Sequence, residues 1–296
     1  MNQDRIERIR KLKLEYEQLK DGQDSLLRAI GEIELPDMVY NSNAIENSTL
    51  SLKDTEDIIL ENKQVKGASL RETYEAVNLA QVLVKISTES SMELTVESIE
   101  KLHGVLLSNI QPGIAGRIRQ EGENVRVGTH VAPRSENLPR LMSDLIDEYN
   151  SADDQYFLDK IAKFHMGFEH IHPFVDGNGR IGRVLIDWQL IKLGYPPVLI
   201  RNRTKVREYY PLFRLFSTTG DFSGMSALLY FGLSESLNKR LAYLRGEEII
   251  KLTDFAKVNK LNITSLLNSA KRQTIPAFRE RGRWMISASF DANGAA

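Results

Sequence analysis

The chain contains no cysteine, which excludes disulfides, thiolate nucleophiles and Cys-ligated zinc. It has no run approaching about 18 consecutive apolar residues, so a membrane-spanning helix is not expected. Its N-terminus, MNQDRIERIRKLKLEYEQ, is too charged to hold the apolar core of a signal peptide. A cytoplasmic protein with no membrane partner is the resulting expectation. An excess of one charge sign is also lacking, with 39 Lys and Arg against 40 Asp and Glu. That balance argues against attraction of the whole molecule to nucleic acid, although it can average over a local basic patch. Repeats and low-complexity segments are absent. What remains is 296 residues, 42% hydrophobic and 27% charged, the profile of one large or two ordinary globular domains.

The dominant pattern is helical. Ile6, Ile9, Leu12, Tyr16 and Leu19 recur at spacings of three and four, one apolar stripe on a charged helix. Pro36 is expected to break the pattern, and DMVYNSNAIEN reads as a short separate helix ending near Asn47. Further helices are expected in LKDTEDIILEN, LRETYEAVNLAQVLVKI, VESIEKLHGVLLSNI, Leu138–Tyr149 and Phe157–Ile171. The β-branched segment Asn124–Pro133, centred on Gly128, predicts a small hairpin. VLIRNR at 198–203 reads as strand-like. Residues 251–296 differ in kind, with eight Lys and Arg against three Asp and Glu. They read as two short helices joined by a tight turn, then two strands around Glu280–Gly282.

The informative stretch is 165–192, HMGFEHIHPFVDGNGRIGRVLIDWQLIK. Leu158, Ile161, His165, Phe168 and His172 share a helix face, and Pro173 cannot continue that helix comfortably. Ile181, Val184, Leu185, Trp188 and Ile191 form a second stripe. PFVDGNG is therefore a loop that delivers its backbone to a helix N-terminus, where unpaired N–H groups and the helix dipole favour an anion. Gly177 and Gly179 let the loop bend and let a phosphate approach closely. Arg180 and Arg183, three apart on the first turns, can point at one polyphosphate. Asp176 is a hard oxygen donor suited to a phosphate-bound Mg²⁺. His172 opens the same loop and titrates near neutrality, as a general base should. A dinucleotide-binding loop needs a strand before the glycines, whereas the preceding segment here is helical. His170 and His172 beside a proline, with no cysteine, make a poor metal cage. His165, on an apolar stripe, reads as a core residue.

HPFVDGNGRIGR at 172–183 resembles the signature of the Fic family, HPFx[D/E]GNGRxxR, at every specified position. The resemblance implies a mainly α fold, a Fic-type helical core with a small β-hairpin flap. It implies transfer of AMP from ATP to a Ser, Thr or Tyr hydroxyl of a target protein. By position, His172 would be the base and Asp176 would hold Mg²⁺. Gly177, Asn178 and Gly179 would cradle the inner phosphates, Arg180 and Arg183 would meet the outer ones, and Gly182 would count among the nucleotide-binding residues. Ser42–Asn47, SNAIEN, resembles the family's inhibitory motif, in which Glu46 would pair with Arg183, with Ser42 and Asn47 completing the motif. Val127, Gly128, Thr129 and His130 lie where the family's hairpin covers the nucleotide. Tyr209 and Tyr210 resemble a tyrosine pair near adenine, but Ser217 stands where Asn is expected. TIPAFRERGRWMIS resembles the wing of excisionase-like winged helix–turn–helix domains, whose Arg272, Arg279, Arg281 and Arg283 could meet DNA phosphates. The expected organisation is thus an N-terminal helical region at 1–95, a Fic core at 96–235, and a linker helix with a winged-helix-like domain at 236–296. A nucleotide-sensing DNA-binding regulator and an enzyme that removes AMP are the alternatives. Self-modification and a homodimer are carried as further options.

Overall fold

The computed structural model describes residues 1–89, 92–128, 130–152 and 154–292. Helices dominate: α1 (Gln3–Lys20), α2 (Asp24–Ile45), α3 (Leu52–Glu61), α4 (Leu70–Thr88) and α5 (Val96–Leu106) precede a hairpin of β1 (Arg126–Val127) and β2 (His130–Val131). Then come α6 (Leu138–Ser151), α7 (Phe157–Ile171), α8 (Asn178–Lys192), α9 (Tyr210–Thr219) and α10 (Ser223–Leu244). The chain ends in β3 (Ile249–Lys251), α11 (Leu252–Val258), α12 (Ile263–Lys271), β4 (Phe278–Glu280) and β5 (Arg283–Ser287). None of the described helices is long and apolar enough to cross a membrane.

Two compact units result, residues 34–226 and residues 1–33 together with the chain from 227 onward. They differ from the division at 95 and 235 expected from the sequence. In the larger unit α7 packs on α6 and α8, and α4 packs on α3, α5 and α8. The core runs through Leu79, Leu83, Leu102, Leu106, Phe164, Phe168, Phe174, Ile181, Val184 and Trp188. Ser51 with Asp54 and Ser69 with Glu72 form capping boxes that start α3 and α4. Glu72 also accepts from the Thr49 N–H and hydroxyl, at 2.8 and 2.7 Å. Those bonds, with the Ser69 cap, hold its carboxyl down at about 2.

The smaller unit carries an antiparallel sheet of order β3-β5-β4 against α11 and α12, around Leu252, Phe255, Leu266, Ala270 and Ile286. This is the winged arrangement expected for the C-terminal stretch, with β3 as a strand the sequence reading missed. Arg279 is not free for phosphates. Its guanidinium lies over the Trp284 ring at 4.5 Å and pairs with Glu235 at 2.5 Å.

Two sequence readings are corrected. α2 passes through Pro36 without a break. A proline removes only one ladder bond, at a cost of about 3 kcal/mol, and burial of Val39 and Ile45 holds the following turns helical. Residues 198–201 form no strand; a 3₁₀ turn at Asn202–Thr204 and a π-helical turn at Lys205–Tyr209 follow. Val198 instead donates its N–H to Asp187 at 2.8 Å, a side-chain acceptor in place of a strand partner.

Candidate active site

α7 ends at Ile171, and His172 takes a left-handed φ of 51° as its C-cap. The loop then closes on itself. Asn178 accepts from the Phe174 N–H and donates to the Phe174 carbonyl, both at 2.8 Å. Gly177, at φ 82°, makes the turn into α8 that a residue with a side chain would resist. His103, from α5, supports the loop from below. Its Nδ1 accepts the Gly116 N–H at 3.0 Å, so Nε2 donates to the Asp176 carbonyl at 2.9 Å. Its ring stacks on Phe174 at 3.7 Å. Burial keeps His103 neutral, with its pKa down at about 4.

His172 Nδ1 faces the Glu169 carbonyl at 3.3 Å, which assigns its proton to Nδ1 and leaves the lone pair on Nε2. Burial, helped by Arg119 and His130, lowers its pKa to about 4. Glu169 is pushed the other way, to about 8, by burial that Arg183 only partly offsets. Its Oε2 lies 3.8 Å from His172 Nδ1, but at neutral pH the acid is protonated and the imidazole uncharged. The contact is therefore not an ion pair.

The two signature arginines turn to different partners. Arg183 donates from Nη2 to Glu46 at 2.8 Å and to the Ser42 carbonyl at 2.9 Å, and from Nε to the Ser42 hydroxyl at 2.9 Å. Burial works against its charge, but Glu46 outweighs that and raises its pKa. The Glu46 carboxylate sits directly over Gly179, where a Cβ would collide with its Oε1. Asn47, at φ 69°, ends α2 in the left-handed region. The Ser48 and Asn47 N–H groups reach back to the Asn43 and Ala44 carbonyls, as in a Schellman cap. Lys205 donates to the Ala44 and Ile45 carbonyls and to Asn47, at 2.7, 3.0 and 2.9 Å. Tyr210 donates to the Ile45 carbonyl at 2.6 Å. A cation and a hydroxyl at a helix C-terminus stabilise it, and here they fix the turn that presents Glu46.

Arg180 lies in a ring of four charges. Its Nη1 is 3.1 Å from Glu75, and its Nη2 is 3.4 Å from Asp176. Arg71 donates to Asp176 at 2.6 Å and to Glu75 at 3.1 Å. Burial would raise the Asp176 pKa, but Arg180, Arg71 and the Gly177 N–H hold it below the ordinary carboxylate range. Among the described residues no group of three His or acidic side chains converges as a protein-only metal cage. Mg²⁺ needs no such cage when phosphates supply the other ligands, so the single, part-exposed Asp176 carboxylate fits it.

The flap pairs Val127 with His130 and Arg126 with Val131. Val127 and Val131 are exposed, and Gly128 takes a φ of 59°. Thr129 lies outside the described residues. His130 donates from Nε2 to the His170 carbonyl at 2.8 Å, which ties the flap to α7. The tyrosine pair divides. Tyr209 is buried and meets His165 Nε2 at 2.9 Å, whereas Tyr210 is part exposed. His165 is a core residue, kept neutral by burial with a pKa of about 3. Gly182 faces Glu169 and His165 rather than open space. Ser217 lies 3.5 Å from His170 Nδ1.

Residues 93–190 match the Fic/DOC family. That stretch, which holds the signature loop, is similar to Fic proteins. The protein adenylyltransferase Fic of Drosophila willistoni is 34% identical over 176 residues, 58% of this chain and 35% of that protein. Its namesake from Nematostella vectensis is 34% identical over 177 residues, 41% of its own length. The chain thus spans little more than a third of the curated relatives it matches. A Fic domain-containing signaling protein from Bacteroides thetaiotaomicron shares the fold, with a TM-score of 0.73 at 24% identity, over 81% of this chain and 98% of its own.

Arg71, Glu75, His103, Arg119, Glu169 and Lys205 escaped the sequence reading of this site. Glu75 and His103 sit on amphipathic helices where any charge reads as surface or cap. Lys205, with Arg207 two residues on, reads as ordinary surface charge.

Proposed function

We propose that the protein is a protein adenylyltransferase held in an autoinhibited state by Glu46. The observation that carries this reading is the Glu46–Arg183 pair lying over Gly179 at the mouth of a Fic signature loop. The similarity to protein adenylyltransferases, with the family match over residues 93–190, supports it. With Glu46 withdrawn, Arg183 and the first N–H groups of α8 are available to the phosphates of ATP. His172 Nε2 takes the proton of a target hydroxyl. The hydroxyl oxygen bonds to the α-phosphorus, the bond to the bridging oxygen of the β-phosphate breaks, and pyrophosphate leaves. The neutral state that burial imposes on His172 leaves it able to accept that proton at physiological pH. Asp176 would hold Mg²⁺, which supplies neutralising charge on the phosphates. Val127 and Val131 on the exposed flap would align the target segment alongside β1.

The test is incubation of wild type, Glu46→Gly and Glu46→Gly/His172→Ala with Mg²⁺ and α-labelled ATP, in the presence and absence of cell extract. Label on Glu46→Gly alone is the expected result. Label that survives His172→Ala removes His172 as the base. Absence of label from all three, on themselves and on extract proteins, overturns the activity.

A further inference from the structure

Arg119 lies between α5 and the hairpin, with its side chain buried to 2% exposure. A buried guanidinium normally faces a carboxylate, because an unpaired charge away from water is unfavourable. Among the described residues Arg119 has no such ion pair. The nearby Glu123 carboxylate is taken by Arg117, through two bonds of 2.7 Å. Arg119 spends its donors on backbone carbonyls instead. Nε donates to His172 at 2.9 Å, Nη1 to Glu123 at 3.0 Å, and Nη2 to Pro133 at 2.9 Å and Ile171 at 3.4 Å. Its own N–H donates to the Pro173 carbonyl at 2.8 Å.

These acceptors belong to two structures. Ile171, His172 and Pro173 form the end of α7 and the turn that presents the base. Glu123 and Pro133 flank the stem of the flap, just outside the Ala132 N–H to Val125 carbonyl bond that closes it. The carbonyls at a helix C-terminus carry partial negative charge, which offsets the absent carboxylate. The planar fork spans both segments at once, which a single ammonium cannot do.

We propose that Arg119 is a positioning residue that locks the His172 turn to the flap stem, so that the base and the target-aligning hairpin keep a fixed separation. The inference rests on the proposed transferase reading. It predicts that loss of Arg119 harms the chemical step while leaving ATP binding in place, since Arg119 bonds neither Arg180, Arg183 nor the loop glycines.

Arg119→Met and Arg119→Lys are to be made in the Glu46→Gly background. A misplacement of about 1 Å costs on the order of 100-fold in rate. Arg119→Met is therefore expected to lower kcat about 100-fold while KM for ATP stays within about threefold. Arg119→Lys keeps the charge but not the fork, and should recover less than a tenth of the loss. Two readouts do not depend on turnover. The first is His172 titration by NMR, where Arg119→Met should move its pKa up from about 4, while Glu169 on α7, Glu46 at the cap of α2 and His130 on the flap remain around it. The second is amide exchange at residues 125–132, which should accelerate in both variants. Parallel loss of ATP affinity and kcat would reduce Arg119 to a general structural role and overturn the proposal. So would an unmoved His172 pKa with unchanged flap exchange. If Arg119→Met does not fold, the Lys variant decides by flap exchange and by the split between kcat and KM for ATP. If the Glu46→Gly parent transfers no AMP, the transferase reading fails alone, and titration and exchange still judge Arg119.

Discussion

Replacing Glu46 should change nucleotide affinity before it changes anything else. The Glu46 carboxylate donates nothing and accepts one charge-assisted bond, 2.8 Å from Arg183, while lying over the Cα of Gly179. A phosphate that reaches Arg183 must displace it. A hydrogen bond to a charged group contributes about 1.5–3 kcal/mol. At 1.4 kcal/mol per factor of ten, that is roughly 10- to 100-fold in affinity. The Glu46 side chain is 41% exposed, so water screens the pair and the lower part of the range applies. Glu46→Gly should therefore tighten ATP binding about tenfold. The backbone tolerates the change, because Glu46 is the helix cap and the adjacent Asn47 already supplies the left-handed turn. Glu46→Gln should give a smaller gain, since the amide can still bond Arg183 but carries no charge against the phosphates. Isothermal titration with a nonhydrolysable ATP analogue and Mg²⁺ measures both. Affinities for all three proteins within twofold of one another would refute the competition argument, whatever the labelling assay shows.

Other contacts yield further expectations. Arg71 competes for Asp176, so Arg71→Gln should tighten Mn²⁺ binding in the presence of an ATP analogue. The half-exposed pair limits this to roughly two- to fivefold, and the free Mn²⁺ signal in electron paramagnetic resonance reads it; no change would place Arg71 outside the cation's path. Lys205→Met removes three bonds from the end of α2 and should raise self-labelling to a level between wild type and Glu46→Gly. Labelling at the wild-type level would show that the inhibitory turn holds without Lys205. Glu169 has its pKa raised from 4.5 to about 8 by burial, so between those values the folded state keeps a proton that the unfolded chain has released. Its contribution to stability is present at low pH and lost as pH rises through 8. Denaturant unfolding at pH 5 and pH 8.5 should show a smaller loss for Glu169→Gln than for wild type, and equal losses would mean that Glu169 is ionised in the fold.

What the sequence showed and what it hid follow from the range of the interactions. The signature loop is legible because its parts lie within twelve residues, and a proline, two glycines and helical periodicity place them on a turn between two helices. The hairpin at 126–131 is legible for the same local reason. Pro36 misleads because local propensity is outvoted by burial of the turns after it. Arg71 and Glu75 read as solvated charges on the first turns of a capped helix, since their partners lie about a hundred residues downstream. Arg119 is hidden more deeply, because its partners are backbone carbonyls, which have no sequence identity at all. Both signature arginines are occupied by carboxylates from earlier in the chain, Arg183 by Glu46 at the cap of α2 and Arg180 by Glu75 of α4. Under the proposed function, a nucleotide entering this site must therefore exchange two ion pairs, of which the resemblance to the inhibitory motif foretold one. The groups proposed to perform the chemistry are contiguous in the chain, whereas the groups proposed to restrain it are distant. A motif therefore reports the reaction more readily than its control.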